Sequence, residues 1–209
     1  MSSMSPSPAP DTPAGPVDLS ALVAARICHD LGNPIGAIGN GVELLGLDTG
    51  FGGAELELVS DSVEAAQARL RFCRMAFGEA SAGQTVAAAE AGEILTDRYR
   101  GTRLSAVLSA PAEVRRRELR CAFLAALCVE AALPAGGEIA LRSSAGGWLV
   151  TGTGPRIAAR GAGWSMLSPS GAELPTARNI QFALLPRAVA EADRTLLAKI
   201  EDAQVLFAF

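Results

Sequence analysis

The segment ARICHDLGNPIGAIGNGVELL, residues 25–45, has the spacing of a long amphipathic helix and carries two features that a plain packing helix does not need. His29 is the single histidine of the chain. Pro34 follows it within the same helix, where a proline removes one backbone donor and predicts a kink. The apolar residues that predict the helix are Leu31, Ile35, Ile38, Val42 and Leu45. The segment therefore places one imidazole next to a position where the helix loses a backbone hydrogen bond and is expected to kink.

A second predicted helix follows a glycine-rich turn at residues 46–53. Its apolar residues recur every three or four positions, and they are Leu56, Val59, Val63, Ala66, Leu70, Cys73 and Phe77. Two helices joined by a short turn form an antiparallel hairpin, and a lone hairpin leaves apolar surface uncovered. We therefore expect two copies of the chain to pair into a four-helix bundle.

The remainder of the chain mixes helices with short strands. Helical patterns cover residues 84–98, 112–132 and 175–191, and strand patterns cover residues 103–109, 136–154, 195–202 and 204–209. Helices mixed with antiparallel strands predict a two-layer α/β sandwich, so the fold class is α+β. The predicted domains are a disordered leader at 1–17, a helical hairpin at 18–80 and an α+β domain at 81–209.

Composition argues against several classes of function. The chain has 209 residues, of which 49% are hydrophobic, enough for a sizeable core. A net charge of −4 does not favour nucleic-acid binding, and no apolar run reaches the roughly 20 residues of a membrane span. No signal peptide is visible, so we expect a cytoplasmic protein that binds neither nucleic acid nor membrane. The four cysteines lack metal-ligand spacing and are expected to be buried, reduced thiols.

The heptad assigned to the first helix turns His29 toward solvent, one position beyond the apolar seam. Arg26, Asn33 and Gly36 fall on the same face of the helix. Asp30 stands next to the histidine, where a carboxylate holds one imidazole tautomer and the neutral ring is nucleophilic near pH 7. The alternative is an ordinary solvent-exposed histidine, and it stays open from these residues alone.

Glycines reduce the side-chain bulk on the helix surface around His29. Gly32, Gly36 and two further glycines lie within ten residues of one helix, and each costs about 1 kcal/mol relative to alanine. A partner that must approach closely would explain that cost. We therefore expect a partner protein to contact Arg26, Gly32, Pro34 and Gly36.

The hexapeptide HDLGNP resembles the H-box of two-component histidine kinases, in which His-Glu/Asp-x-x-Thr/Asn-Pro opens the dimerisation and phosphotransfer helix. The matching residues are His29, Asp30, Asn33 and Pro34. The predicted helical hairpin fits the same domain of those kinases.

The α+β half resembles a kinase ATP-binding domain without its nucleotide motifs. Ala126 and Glu130 stand where that domain has two asparagines that help to hold magnesium and nucleotide. No aspartate occurs between residues 98 and 192, where the adenine-binding one would belong. Most of residues 18–209 resembles the alphaproteobacterial histidine phosphotransferases of the ChpT type, which look like a dimeric histidine kinase with a degenerate ATP-binding domain.

This resemblance implies a homodimeric histidine phosphotransferase of a bacterial two-component phosphorelay that uses no ATP. His29 would accept a phosphoryl group from the receiver domain of a hybrid histidine kinase and pass it to the receiver domains of response regulators. Asp30 would orient the ring, the receiver would supply Mg²⁺, and this chain would bind no cofactor or metal. Asp30 and Asn33 also fit a pattern that positions water for dephosphorylation, so the net direction of transfer stays open.

Two other functions stay open at this point. An ATP-dependent histidine kinase would bind nucleotide, which the missing aspartate and asparagines disfavour. A non-catalytic adaptor would only dock receiver domains, and its function would survive the loss of His29.

Overall fold

The computed structural model describes residues 17–47, 53–159, 163–168 and 173–209. The predicted leader therefore lies outside the described residues except at Val17, as do residues 48–52 of the predicted turn. In chain order the described elements are α1 (Leu19–Leu47), α2 (Gly53–Phe77), β1 (Thr85–Ala87), α3 (Ala88–Tyr99), β2 (Leu104–Ser109), β3 (Glu113–Arg115), α4 (Arg116–Ala132), β4 (Gly137–Ser144), β5 (Gly147–Thr153), a 3-10 helix (Trp164–Leu167), α5 (Ile180–Glu191), β6 (Leu197–Ile200) and β7 (Gln204–Ala208).

The first two helices pack against each other as the predicted hairpin. Gly41 of α1 approaches α2 so closely that a Cβ atom there would lie 2.5 Å from Cγ2 of Val59. Pro34, seven residues earlier, is buried on the same face of α1. α1 continues through this proline as one helix. The contact inside one chain thus runs along the stripe of Pro34 and Gly41.

Part of the predicted apolar seam stays exposed in the single chain. Ile35 is 58% exposed, and Val42 of α1 and Leu56 and Leu70 of α2 are exposed as well. The reason is that the intrachain contact uses the neighbouring stripe of α1, which turns these heptad positions outward. Cys28 lies on the same exposed stripe, so the expectation that every cysteine is buried is wrong for this one.

The second helix joins the hairpin to the rest of the molecule. Phe72 is buried, and its ring centroid lies 4.9 Å from that of Phe123 in α4 and 6.1 Å from that of Tyr99 in α3. Ala76, one turn later, is buried too. α2 therefore contributes side chains to the core of the sandwich. The domain boundary that we placed after residue 80 stays a prediction.

Five strands form a mixed sheet in the order β2-β4-β5-β7-β6, and β1 pairs with β3 in a separate antiparallel ladder. β2 and β4 run parallel, so the expectation of antiparallel strands is wrong for this pair. Parallel neighbours require a crossover connection, and α4 supplies it. The helices α3 and α4 pack on the sheet, and the predicted α+β class is confirmed.

The most deeply buried helix is α4, which packs against α2, α5 and three strands of the sheet. Its buried residues lie on all sides of the helix, as expected for an element that neighbours surround. Many of them are alanines and cysteines, whose small side chains let those neighbours approach closely.

Three predicted boundaries are wrong by several residues. The segments predicted as helical from residues 84 and 112 begin with the short strands β1 and β3, and α5 begins at Ile180 instead of 175. Strands of three residues that pair only with each other leave no readable alternation in the sequence. Before α5, the side chain of Asn179 accepts hydrogen bonds from the backbone and hydroxyl of Thr176 and so holds a turn instead of a helix.

We expect Gly41→Ala to destabilise the protein by about 1–3 kcal/mol, because its methyl group overpacks the stiff Val59 side chain. Gly39→Ala is the matched control on the same helix. A Cβ atom at Gly39 meets nothing within 4 Å, so alanine should stabilise by up to about 1 kcal/mol through helix propensity. Urea denaturation followed by circular dichroism measures both changes. Equal stability of the two variants would contradict the close approach of α1 and α2.

Candidate functional site

His29 lies on the outer surface of α1. Its side chain is 62% exposed, and its Nδ1 atom lies 3.3 Å from Oδ1 of Asp30. No described residue is hydrogen-bonded to the other ring nitrogen, Nε2. The structure thus places the imidazole in solvent with one nitrogen beside a carboxylate and the other open.

Asp30 is held from the side away from the histidine. Arg26, one turn earlier on α1, donates from Nε to Oδ2 of Asp30 at 2.8 Å, and both side chains are largely buried. The Nη1 atom of Arg26 donates to the backbone oxygen of Arg178 at 2.8 Å and to Oε1 of Gln181 at 3.4 Å. Arg26 is therefore turned inward, and its predicted contact with a partner protein stays a prediction.

The other predicted partner-binding residues separate into two groups. Gly32 and Gly36 are exposed, and a Cβ atom at either would meet nothing within 4 Å. Asn33 is exposed between them. Pro34 is buried in the single chain, on the face of α1 that Gly41 turns toward α2, and its predicted contact with a partner stays a prediction.

The geometry favours one tautomer of the ring. An ionised carboxylate only accepts hydrogen bonds, so Asp30 pairs with His29 when Nδ1 carries the proton. The lone pair of the neutral imidazole then lies on the exposed Nε2. An exposed imidazole nitrogen with a free lone pair is a nucleophile near neutral pH.

A polar cluster lies behind the hairpin, on α3 and α4. Arg98 donates to both carboxylate oxygens of Glu130, at 3.2 and 3.3 Å, and the Tyr99 hydroxyl donates to Oε2 at 3.1 Å. Burial raises the pKa of Tyr99 well above 10.0, and the Glu130 charge raises it further. Burial also raises the pKa of the Cys73 thiol to about 11, with a further contribution from the charge of Asp30. Protein donors thus occupy both oxygens of Glu130.

Metal-ligand clusters and membrane-spanning helices are both absent from the described residues. In the described ranges no group of three or more histidine, cysteine, aspartate or glutamate side chains is arranged to hold a metal ion. No helix of the described part of the chain is long and apolar enough to cross a membrane. The expectation that the chain binds neither metal nor cofactor stays a prediction.

Sequence reasoning missed the α5 side of this site. Gln181 is 2% exposed and shares a buried stripe with Leu185 and Ala188, four and seven residues later. A single amide in an apolar stripe was the available signal, because buried polar groups are hydrogen-bonded. The carbonyl of Arg178 carried no signal, since every residue has one.

Comparison with known proteins gives the family of the chain. The model of the histidine phosphotransferase C-terminal domain matches residues 88–204. Protein phosphotransferase ChpT of Brucella abortus (strain 2308) is 36% identical over 131 residues, which make up 60% of this chain and 61% of the length of the Brucella protein. A bacterial phosphotransferase solved at 1.7 Å superposes with a TM-score of 0.73 and 27% identity, over 95% of this chain and 98% of that one. The chain therefore belongs to the histidine phosphotransferase family.

Proposed function

We propose that this protein relays phosphoryl groups between receiver domains through Nε2 of His29, as an enzyme that does not use ATP. One observation carries the proposal: a single, exposed histidine is paired through Nδ1 with a carboxylate that Arg26 holds, which leaves Nε2 open at the surface. Membership of the histidine phosphotransferase family and the name of the Brucella relative support the same activity.

In the forward step, the Nε2 lone pair of His29 attacks the phosphorus of a receiver's phospho-aspartate. The P–N bond forms in line as the P–O bond breaks, and the receiver's aspartate leaves as a carboxylate. The Nδ1 proton stays on the ring, and Asp30 stabilises the positive charge that the ring acquires. Transfer to a second receiver reverses these bond changes. Mg²⁺ bound by the receiver would neutralise charge on the phosphoryl oxygens.

The proposed partners are the receiver domain of a hybrid histidine kinase as donor and those of response regulators as acceptors, all in the cytoplasm. The open surface of Gly32, Asn33 and Gly36 supports a close approach, because glycines place no side chain between the helix and a receiver's backbone. Asn33 offers an exposed amide to the phosphoryl group. Together with Asp30 it would also suit the positioning of a water, so net dephosphorylation of a receiver is the second activity of this site.

We further propose that two chains form a homodimer whose hairpins make a four-helix bundle. Cys28, Ile35 and Val42 are exposed at intervals of seven residues on α1, and Leu56 and Leu70 are exposed fourteen residues apart on α2. Intervals of seven residues keep these side chains on one face of each helix. Covering that face with a second copy removes its apolar area from water.

The α+β domain is proposed to work without nucleotide. At the position where a kinase would have an asparagine, both oxygens of Glu130 already bind Arg98 and Tyr99. Ala126, one turn earlier, is fully buried and has no polar group to offer a ligand. These contacts disfavour the alternative of an ATP-dependent kinase. The alternative of a non-catalytic adaptor differs in one testable respect, because an adaptor would keep its function when His29 is replaced.

We expect His29→Ala to abolish phosphoryl transfer. The purified protein is mixed with a hybrid-kinase receiver domain that carries ³²P on its aspartate, and label on this chain should be acid-labile and base-stable. The variant should take up no label and keep its fold, because the ring is exposed. Asn40→Ala, an exposed change on the same helix, is the control and should be labelled like the wild type. If the label reached a second receiver equally well with His29→Ala and with the wild type, the relay would be contradicted and the protein would act as a non-catalytic adaptor.

We expect the wild-type protein to have twice the 21.4 kDa chain mass in light scattering, and Ile35→Glu to have the mass of one chain. A charge at the centre of a buried apolar face is costly to desolvate, whereas in the single chain it reaches water. Leu174→Glu is the control, since Leu174 is 65% exposed and lies outside the hairpin. A wild-type protein with the mass of one chain at micromolar concentration would contradict the proposed homodimer.

We expect the single tyrosine, Tyr99, to resist ionisation in the folded protein. Its folded pKa lies above the ordinary value of 10.0, so the folded state keeps the proton as pH rises past 10 while the unfolded state loses it. Stability should therefore fall in this alkaline range. Absorbance at 295 nm should show tyrosinate near pH 10 in guanidinium but not in buffer. A folded-state midpoint near 10 would mean that the cluster around Glu130 is open to water.

A further inference from the structure

Arg26 connects the phosphoacceptor to the α+β domain. Its Nε atom donates to Asp30 on α1, while Nη1 donates across 152 residues of sequence to the carbonyl of Arg178 and also to Gln181 on α5. One planar guanidinium thus spans the gap between the hairpin and the second domain. Because the donors of a guanidinium are fixed in one plane, the α5 side determines how the Asp30 side is oriented.

The α5 end of this connection is well anchored. Gln181 is 2% exposed within the buried face of α5. The carbonyl of Arg178 belongs to a turn that the side chain of Asn179 stabilises. Oδ1 of Asn179 accepts hydrogen bonds from the backbone nitrogen of Thr176 at 2.6 Å and from the Thr176 hydroxyl at 3.0 Å. The next residue of α5, Phe182, packs its ring 5.0 Å from that of Trp164. The acceptors offered to Arg26 are therefore fixed by packing and hydrogen bonds.

We infer that Gln181 is a positioning residue for phosphoryl transfer: with the Arg178 carbonyl it orients Arg26, Arg26 orients Asp30, and Asp30 holds His29 in the tautomer that leaves Nε2 free. This inference rests on the proposed function of His29. It assigns the α+β domain a part in the chemistry that needs no nucleotide.

Other charges near Asp30 do not replace this connection. Arg69 of α2 and Arg98 of α3 interact electrostatically with Asp30, and the Cys73 thiol lies near it. Neither arginine is hydrogen-bonded to Asp30 in the described residues. They keep positive charge near the carboxylate but do not set the direction of its oxygens. Loss of Gln181 should therefore change the orientation of Asp30 more than its charge.

The test uses the full-length protein with Gln181→Met, which keeps the side-chain length and removes the acceptor. The single histidine makes ¹⁵N NMR of the ring unambiguous. In alkaline solution, where free imidazole is neutral, the wild type should show mainly the Nδ1–H tautomer. In Gln181→Met this tautomer should lose population, and the rate of label transfer from the phosphorylated receiver should fall about fivefold.

The control is Val189→Ala, a truncation of a buried side chain on the same helix, eight residues beyond Gln181. It should lower the melting temperature at least as much as Gln181→Met and leave the tautomer and the transfer rate unchanged. In an Arg26→Met background, Gln181→Met should have no further effect on either, because the two residues act in series.

Three results would overturn the inference. They are a wild-type tautomer population in Gln181→Met, equal changes of tautomer population and transfer rate in Gln181→Met and Val189→Ala, and additive effects of Gln181→Met and Arg26→Met on these two quantities. A failure of the proposed function is distinguishable, because the wild type itself would then take up no label. The tautomer measurement would still decide whether Gln181 positions the ring.

Discussion

The ion pair between Arg26 and Asp30 is the interaction on which the site depends, because it is the point where the hairpin, the α+β domain and the histidine meet. Asp30 has one oxygen for the ring of His29 and one for Arg26. Arg26 directs its Nη1 atom toward the start of α5. On an isolated α1 the pair of Arg26 and Asp30 would lose its anchor at Arg178 and Gln181, and an unanchored i,i+4 ion pair in water constrains its side chains only weakly. The fold therefore supplies orientation, while the reactive nitrogen remains at the surface.

This division explains why so large a domain accompanies a two-helix site. α2 inserts Phe72 into the core of the sandwich, so the hairpin stands on a rigid base. α4 fills the centre with small side chains, which lets α2 and α5 approach it from different sides. Arg98 of α3 occupies both carboxylate oxygens of Glu130 on α4. In our account the second domain acts by holding α5 beside Arg26, and the phosphoryl group comes from another protein.

The sequence predicted most of what depends on local pattern. The hairpin, the α+β class and the exposure of His29 follow from heptad spacing and from the alternation of strands, and they are observed. The parallel pairing of β2 with β4 was missed because local alternation does not distinguish parallel from antiparallel partners. The inward turn of Arg26 was missed for a related reason. The acceptors of its Nη1 atom lie more than 150 residues away in sequence, and one of them is a backbone carbonyl.

The burial of Pro34 and the exposure of Ile35 show a limit of a different kind. Adjacent positions on a helix differ by about 100° in direction, so a small error in the assumed contact stripe exchanges a buried residue for an exposed one.

The most direct test of the proposed mechanism is to determine which ring nitrogen of His29 carries phosphorus. In ¹⁵N-labelled protein phosphorylated by a receiver domain, we predict phosphorus-to-nitrogen coupling at Nε2. Coupling at Nδ1 would contradict the account, because the nitrogen beside Asp30 would then be the one that reacts.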